Sequence, residues 1–545
     1  MKKVLFVILA LSILVAMFAG CNNSSSNSGD NSSAPPTSAP PATAPATPGS
    51  TPGSAPEPAV PEDHQRGGDY RVILLRNPVA FGYPPQLTAS DRNVASPMFE
   101  RLLYVDDDLN YQPELATKWE FSADGKTLTF TLREGVKFHD GTDFNAQSAK
   151  DNFDELIPPK SRILTGITSV DIIDPYTISF NLDEYNNLIL YQIASSYEAY
   201  MCSYDSVRKN GEEWARTHPV GTGPFMMDSY EPDNYVKLVR NPNYWREGLP
   251  YLDSLTWTVI TDGTTQLLSY QAREADAVFD VQAANAAQFR DDTTEIIMAP
   301  LAVFCMAMDT ANNPALADVR VREAIEYAID KEAISQGPGG GYYVPAYQVI
   351  PTDSVYYNPS CTPRKYDPVK AKALLAEAGY ANGLTIEYNG LETYWRDGMI
   401  AVQAYLNDVG IKLNINYLPQ AAYNAIRSNS EIPPGNTSQM TMTIFSNNLY
   451  VLDQQWRANP STFAFIQTPE ECDSLLTAAK ASRDPAESIR IAQQVVKVLY
   501  DDVTVIPLWI NPRLNAVRSY VMNHGLIVAN DANNVRPGFE TWLDK

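Results

Sequence analysis

Two short segments in the first half of the chain alternate strictly between polar and apolar residues. Thr127–Arg133 and Thr177–Leu182 place Leu, Ile or Phe at every second position. Successive side chains of a strand point to opposite faces of a sheet, so this alternation is typical of strands with one buried face. We therefore predict two half-buried β-strands here.

The second half of the chain combines a helical period with further strand patterns. Apolar residues recur every three or four positions within Val319–Ile334, and Asp367 with Pro368 begins another helix that Gly379 ends. The remaining predicted elements are the strand Leu384–Tyr388, the helix Ser482–Tyr500 and the strand Val503–Ile510. Helices that alternate with strands predict an α/β fold for this half.

The N-terminus has the pattern of an export signal. Two lysines precede the apolar run Val4–Phe18, and Ala19-Gly20-Cys21 follows it. This run is shorter than the roughly 20 residues of a membrane-spanning helix. The cysteine after two small residues resembles a bacterial lipobox, which predicts a signal peptide at 1–20 and acylation of Cys21. An uncleaved anchor or a plain signal peptide is the alternative, and either would still export the protein.

Composition separates a linker from the globular part. Residues 21–65 are rich in Asn and Ser and then in Pro, Ala and Thr, which predicts a disordered spacer with little to bury. The composition becomes globular from about Gly67, and 545 residues exceed one typical domain core. The formal net charge of −23, without a long basic run after Lys3, argues against a nucleic-acid partner.

Four further cysteines, Cys202, Cys305, Cys361 and Cys472, are widely spaced and form no CxxC motif. An oxidising compartment permits three pairings among them. Buried free thiols are equally compatible with the sequence.

A series of ordered motifs covers nearly everything after residue 66. The motifs are Pro113–Trp119, Ser122–Lys126, Phe130–Thr142, Phe144–Ala146, Pro219–Phe225, Leu238–Trp245, Val319–Lys331, Tyr366–Tyr380 and Val505–Leu508. In content and order they resemble the family 5 extracellular solute-binding proteins, the oligopeptide-, dipeptide- and nickel-binding group of ABC importers.

Several motifs have a structural interpretation. Ser122–Lys126 and His139–Thr142 each contain Asp-Gly and predict turns, against the alternative of a catalytic His139–Asp140 pair. Gly221–Phe225 lacks the Lys-Ser/Thr of a phosphate loop, so we expect its glycines to permit unusual backbone angles at a crossover between lobes. Gly337–Gly341 is interpreted as a loop on the same argument.

The resemblance implies an α/β, two-lobe fold like that of periplasmic binding proteins, with an additional domain and a hinge. By family layout, 66–110, 219–300 and 519–545 would form the base lobe, 111–218 the additional domain and 301–518 the second lobe. Chain crossings near 300 and 518 would form the hinge, and the ligand would bind where the lobes meet.

The resemblance also points to ligand contacts. Peptide-binding members place an Asp that pairs with the peptide ammonium at the position matched here by Asn448. If this anchor is missing, we expect free peptides to bind worse than neutral or N-blocked ligands. The alternative is that another carboxylate replaces it, and the candidates are Asp453, Asp397 and Glu392. The predicted ligand-binding residues are Phe81, Tyr83, Tyr394, Trp395, Arg396, Phe445, Asn447, Asn448, Tyr450 and Trp509.

The four histidines are not clustered, and we expect no metal and no cofactor. The sequence carries no GxSxG, HExxH, Walker or CxxC motif, and we predict a receptor rather than an enzyme. The predicted function is a monomeric substrate-binding lipoprotein at the outer face of the membrane, or in the periplasm, that delivers a peptide or similar solute to an ABC permease. Alternatives are a receptor for a neutral oligosaccharide or an aromatic or polar compound, and a sensory or adhesive lipoprotein without transport.

Overall fold

The computed structural model describes residues 66–545, except 89–90, 107–109, 159, 161–163, 392–395, 420–421, 424–435, 444–448, 458–465 and 528–534. Only the backbone is described at 300–302 and 436–443. All described residues belong to one compact unit, Pro45–Lys545. The predicted signal peptide, Cys21 and the linker lie outside the described residues.

The strands, in chain order, are β1 Asp69–Leu74, β2 Leu103–Val105, β3 Tyr111–Pro113, β4 Ala116–Phe121, β5 Thr127–Leu132, β6 Ile167–Asp174, β7 Thr177–Leu182, β8 Phe225–Glu231, β9 Tyr235–Arg240, β10 Ser254–Val259, β11 Ala277–Val278, β12 Thr294–Met308, β13 Val344–Pro345, β14 Leu384–Leu391, β15 Ile411–Leu418, β16 Asn436–Thr443, β17 Val505–Arg518, β18 Val521–Met522 and β19 Trp542–Leu543.

The α-helices are α1 Arg92–Ala95, α2 Ala146–Phe153, α3 Leu188–Ser195, α4 Tyr204–Asn210, α5 Glu212–Ala215, α6 Gly263–Gln271, α7 Ala283–Ala286, α8 Pro314–Ala317, α9 Val319–Tyr327, α10 Lys331–Gln336, α11 Pro368–Glu377, α12 Arg396–Asp408, α13 Leu449–Gln455, α14 Glu471–Ala481 and α15 Pro485–Asp502. Short 3-10 helices occur at Pro84–Gln86, Ser96–Met98, Tyr197–Ala199 and Ala287–Phe289.

One large mixed sheet runs through the molecule in the order β15-β14-β16-β12-β17-β11-β1-β10-β9-β8, with β13 paired to β17. We call β1 and β8–β11 with their helices the first lobe, and β14–β16 with theirs the second lobe. The two long strands β12 and β17 contribute to both. This arrangement agrees with the predicted α/β fold.

The sheet is narrowest between the lobes. β16 pairs with β12 from Ala302 onward, and β11 pairs with β17 at Ala516 and Val517, so between these points the described sheet is two strands wide. Pro300 faces Pro512 in this ladder, and a register shift follows at once. Because proline has no N–H to donate, the ladder is weak at this point. We call this stretch the neck.

A separate antiparallel sheet, β4-β5-β7-β6, packs beside the first lobe. The predicted strands Thr127–Arg133 and Thr177–Leu182 are its central pair. Leu128, Phe130 and Leu132 are buried as the alternation predicts, and Phe130 meets Phe180 edge to face with ring centroids 5.4 Å apart. The sheet thus has its own aromatic core, whereas the exact domain limits given above stay predictions.

Most predicted elements form, with shifted ends. Asp367 accepts a hydrogen bond from the N–H of Lys370 as the N-cap of α11, and Gly379 follows with φ +91°. The single helix expected within Val319–Ile334 is wrong. The chain breaks into α9 and α10, because the side chain of Asp330 caps a new helix by accepting from the N–H of Ala333.

Two buried polar networks support the lobes. In the second lobe the ammonium of Lys331 lies 2.9 Å from the carboxylate of Glu326, which also pairs with Arg364 at 3.2 Å. In the first lobe the carboxylate of Glu100 accepts hydrogen bonds from the side chains of Thr222, Tyr244 and Trp245. Burial raises the pKa of Glu100 to about 7.

Candidate functional site

His139 and Asp140 are held by hydrogen bonds to neighbouring loops. Nε2 of His139 lies 3.0 Å from the carbonyl oxygen of Gly223, and Nδ1 accepts the N–H of Gly221 at 3.3 Å. This pattern fits a neutral ring with its hydrogen on Nε2. Burial lowers the pKa of His139 to about 4. The carboxylate of Asp140 accepts from the hydroxyls of Thr142, Ser203 and Ser206. His139 and Asp140 therefore hold the neighbouring loops in place through hydrogen bonds.

The glycines of the Gly221–Phe225 motif are required by close packing and not by unusual backbone angles. Neither Gly221 nor Gly223 has a positive φ. A Cβ on Gly221 would lie 2.1 Å from the carbonyl oxygen of Met98, and one on Gly223 would lie 2.6 Å from the backbone of Pro97 and Met98. The expectation of special angles is wrong, because backbone approaches backbone at this crossing.

Two predicted ligand residues pack inside the first lobe. Phe81 is fully buried and meets Tyr230 edge to face, with centroids 5.0 Å apart. The hydroxyl of Tyr83 lies 3.3 Å from that of Tyr204. Both tyrosines line a cavity of about 390 Å³, whose other lining residues are Asp151, Asp154, Glu155, Lys160, Val207, Arg208, Gly211 and Glu212. This cavity faces α2 and α4 and does not lie between the lobes.

Two further predicted residues belong to the second lobe. Trp509 is fully buried between Phe304 and Tyr343, with ring centroids 4.7 Å and 5.6 Å away. Gly398 leaves room for this indole, since a Cβ there would lie 2.8 Å from the ring. Arg396 is exposed and its guanidinium stacks over Tyr417 at 4.6 Å.

Tyr450 is the predicted residue at the junction of the second lobe with α3, a helix whose residues Ile189 and Ile193 pack with the separate sheet. It lies on α13, which belongs to the second lobe, and its ring centroid is 6.4 Å from that of Tyr191 on α3. Its hydroxyl also bonds the side chain of Gln192. The other predicted residues, Tyr394, Trp395, Phe445, Asn447 and Asn448, lie outside the described residues. For all ten residues, ligand contact stays a prediction.

The carboxylates considered as substitutes for the missing Asp differ in their surroundings. Asp453 forms an ion pair with Arg457 one helical turn along α13. Asp397 is exposed in the first turn of α12, and Glu392 lies outside the described residues. Because the charge of Asp453 is already balanced, it is a poor anchor for an incoming cation.

A carboxylate that the sequence interpretation missed lies at the same junction. Glu198, in the 3-10 helix Tyr197–Ala199, interacts electrostatically with Tyr450 and accepts a hydrogen bond from Tyr197. Burial raises the pKa of Glu198, while that hydrogen bond and the positive charges of Arg101 and Arg92 oppose the shift. No local pattern marks Glu198, because its neighbours at the junction come from segments about 250 residues away.

Comparison with known proteins identifies the fold. A family model described as bacterial extracellular solute-binding proteins, family 5 Middle, matches residues 110–462, well over half of the chain. This chain belongs to family 5 of the bacterial extracellular solute-binding proteins. The glutathione-binding protein GsiB of Salmonella typhi is 30% identical over 441 residues, which cover 78% of this chain and 85% of GsiB.

Solved structures of family 5 proteins have the same fold. DppA of Helicobacter pylori, in complex with the peptide STSA, superposes with a TM-score of 0.75 at 22% identity, covering 88% of this chain and 99% of DppA. NikA of Brucella suis, in complex with Fe(III)-EDTA, gives a TM-score of 0.77 at 22% identity, covering 86% of this chain and 98% of NikA. The family resemblance and the two-lobe fold predicted from the motifs are confirmed.

Three further properties of the described residues bear on questions that the sequence raised. Cys202, Cys305, Cys361 and Cys472 are free and buried, which decides between the alternatives left open for the thiols. Within the described part of the chain, no three metal-ligating side chains cluster. No described helix is long and apolar enough to cross a membrane.

Proposed function

We propose that this chain captures a peptide or a similar small organic solute between its lobes and delivers it to the membrane permease of an ABC importer. The observation that carries the proposal is the match to a glutathione-binding protein over 85% of that protein's length. Glutathione is itself a tripeptide, so a peptide-sized cleft is the simplest interpretation of the likeness.

The fold supports capture by closure. Two lobes joined through a neck of two strands, where two prolines face each other, can move about that neck with little loss of sheet hydrogen bonds. Closure would enclose the solute between the lobes and remove water from it, which strengthens each polar contact. We therefore place the hinge at the neck.

We also propose that acylated Cys21 holds the protein at the outer face of the membrane. The motif Ala19-Gly20-Cys21 motivates this, and residues 21–65 would serve as a tether. Cys21→Ala should release the protein from membranes without changing its affinity for solute. Membrane retention of that variant equal to that of the wild type would refute the lipid anchor.

Native mass spectrometry of protein purified without refolding tests the solute class. We expect a co-purified mass in the range of short peptides, displaced by added peptide. A co-purified carbohydrate or neutral aromatic compound would instead favour the runner-up function, a receptor for such ligands.

Small-angle scattering tests closure. Saturating solute should compact a chain that begins at Gly67 and raise its melting temperature, because solute binds the folded state alone. Tight binding with an unchanged scattering profile would refute hinge closure. If the genes beside this one encode no permease or ATPase, the alternative of a sensory lipoprotein gains support.

A further inference from the structure

Loops of the separate sheet contact the second lobe at the end of α14. The main-chain N–H of Asn187 donates to the carbonyl of Lys480 at 3.1 Å. Its side-chain amide donates to the carbonyls of Ala479 and Ser482, at 2.9 Å and 3.2 Å, and to the hydroxyl of Ser488 at 3.2 Å. The last carbonyls of a helix have no partner within the helix. Asn187 therefore caps α14 from outside the second lobe.

An arginine of the second lobe reaches back to the sheet. Arg483, between α14 and α15, donates to the carbonyl of Ala123 at 3.0 Å, and its Cζ lies 4.9 Å from the ring centroid of Tyr185. The turn between β4 and β5 fits closely around this guanidinium, since a Cβ on Gly125 would lie 2.5 Å from Nη2. Each side thus places a side chain on main-chain carbonyls of the other. We call Asn187 and Arg483, with these partners, the sheet–lobe contact.

The sheet is attached more firmly to the first lobe. The buried Glu114, beside β4, pairs with Arg536 of the C-terminal segment at 2.6 Å. The guanidinium of Arg133 stacks on Trp245, from the β9–β10 loop of the first lobe, with its Cζ 4.1 Å from the ring. His139 adds hydrogen bonds to the loop before β8. A rotation about the neck would therefore carry the sheet along with the first lobe.

The contacts with the second lobe are the ones that such a rotation would break. Arg483 is exposed and Asn187 is half-buried, so water can replace their partners once the surfaces part. Leu188, which follows Asn187, is buried in the core of the second lobe and adds an apolar contact. A hydrogen bond typically changes such an equilibrium by about two- to tenfold. A few of them are enough to favour the arrangement in which the sheet and the second lobe touch, and few enough to allow it to open.

We propose that the sheet–lobe contact is a latch, which holds the two lobes together in the solute-free protein and breaks when the neck opens. This inference rests on the hinge motion of the proposed function, and it names the side chains that oppose opening. It needs no particular solute, because every group in the latch belongs to the protein itself. Solute entry would then wait for the latch to open.

Double electron–electron resonance on the solute-free protein tests the latch. Spin labels are attached to Ile173→Cys on the sheet and Lys372→Cys on α11 of the second lobe, both at exposed positions. The labelled chain also carries Cys21→Ala, and its four remaining native thiols are buried. We expect this chain to give mainly one shorter distance. Asn187→Ala should lower the ratio of shorter to longer distances about tenfold, and Arg483→Gln should lower it about threefold or more.

Two matched substitutions control for the loss of a polar side chain. The amide of Asn181 donates to Ser169 and Asp171 within the sheet, and Arg490 pairs with Glu487 within α15. Asn181→Ala and Arg490→Gln should therefore keep the distances of the unsubstituted latch. The melting temperature of each variant shows whether it folds.

A latch and a plain helix cap give different results. If Asn187→Ala lowers the melting temperature and leaves the distances unchanged, Asn187 only stabilises α14 and the latch is refuted. An intact latch that shows only the longer distance, or control variants that shift the distances as much as Asn187→Ala and Arg483→Gln do, would refute it as well. Because Arg483 is exposed, Arg483→Gln decides the question if Asn187→Ala does not fold. Peptide binding is scored separately: if the latch variants shift the distances and no peptide binds, peptide capture fails and the latch stands.

Discussion

Acidification should destabilise the fold through His139. The imidazole is neutral in the folded state, because Nδ1 already accepts the N–H of Gly221 and cannot take a proton without losing that bond. Its pKa is about 4, against an ordinary value of 6.5. The unfolded chain therefore binds this proton more readily, and stability is lost as the pH falls from about 6.5 to about 4.

The difference of pKa sets the size of the effect. One pKa unit corresponds to 1.36 kcal/mol, so His139 should remove about 3 kcal/mol of unfolding free energy over this window. That is a large part of the 5–15 kcal/mol typical of a domain. The loss of stability should appear first where the Gly221–Gly223 segment, which contacts His139, crosses the first lobe.

The contribution of His139 can be isolated with a substitution that does not titrate. His139→Gln keeps one donor and one acceptor and is uncharged at every pH. Unfolding by urea from pH 7.5 to pH 4 should show the wild type losing about 3 kcal/mol relative to this variant. His64→Gln, in the predicted linker, serves as the control and should leave the pH dependence unchanged.

A constant difference between the wild type and His139→Gln across this range would refute the reasoning. It would mean that the ring is protonated in the folded state at low pH without penalty. A wild type that gains stability relative to His139→Gln as the pH falls would show the wrong sign.

Three other substitutions test the packing of the lobes. Burial raises the pKa of Glu100 to about 7, so the ionisation of Glu100 lowers the free energy of unfolding as the pH rises from about 4.5 to about 7. Glu100→Gln should therefore gain about 3 kcal/mol of stability relative to the wild type between pH 4.5 and pH 8. Gly223→Ala forces a Cβ against backbone and should cost about 3 kcal/mol or more by urea unfolding, whereas Gly263→Ala, which meets a flexible amide 3.3 Å away, should cost little. Glu326→Gln leaves the buried Lys331 without its counter-ion and Arg364 with Glu323 alone, and it should cost about 3–5 kcal/mol, against less than about 1 kcal/mol for the exposed Glu332→Gln. Equal costs of the two glycine substitutions, or of Glu326→Gln and Glu332→Gln, would contradict the packing arguments. The same pH dependence of stability in Glu100→Gln and the wild type would contradict the argument from the pKa of Glu100.

The sequence predicted what local rules control. The alternation of Thr127–Arg133 and Thr177–Leu182 fixed two strands, since one face had to be buried. Asp367 with Pro368 fixed the start of α11 through a cap that involves residues three apart. Such features depend on neighbours in the chain and can be predicted without the fold.

Local rules failed where two signals competed. Apolar spacing continued through Val319–Ile334, yet Asp330 stabilises a helix start within that run. The glycines of the Gly221–Phe225 motif were correctly singled out, but the explanation by unusual backbone angles was wrong. They are needed because their backbone packs closely against a segment more than 100 residues earlier in the chain. Periodicity shows which residues face a core and not which backbone passes behind them.

The candidate site could be predicted only on one wall. The segment around Asn448 and Tyr450 was found because it matches a family motif, and the motif describes the second lobe alone. Glu198 comes from the other side, where nothing in Tyr197–Ala199 marks a function. Its environment exists only after α3 and α13 have packed together.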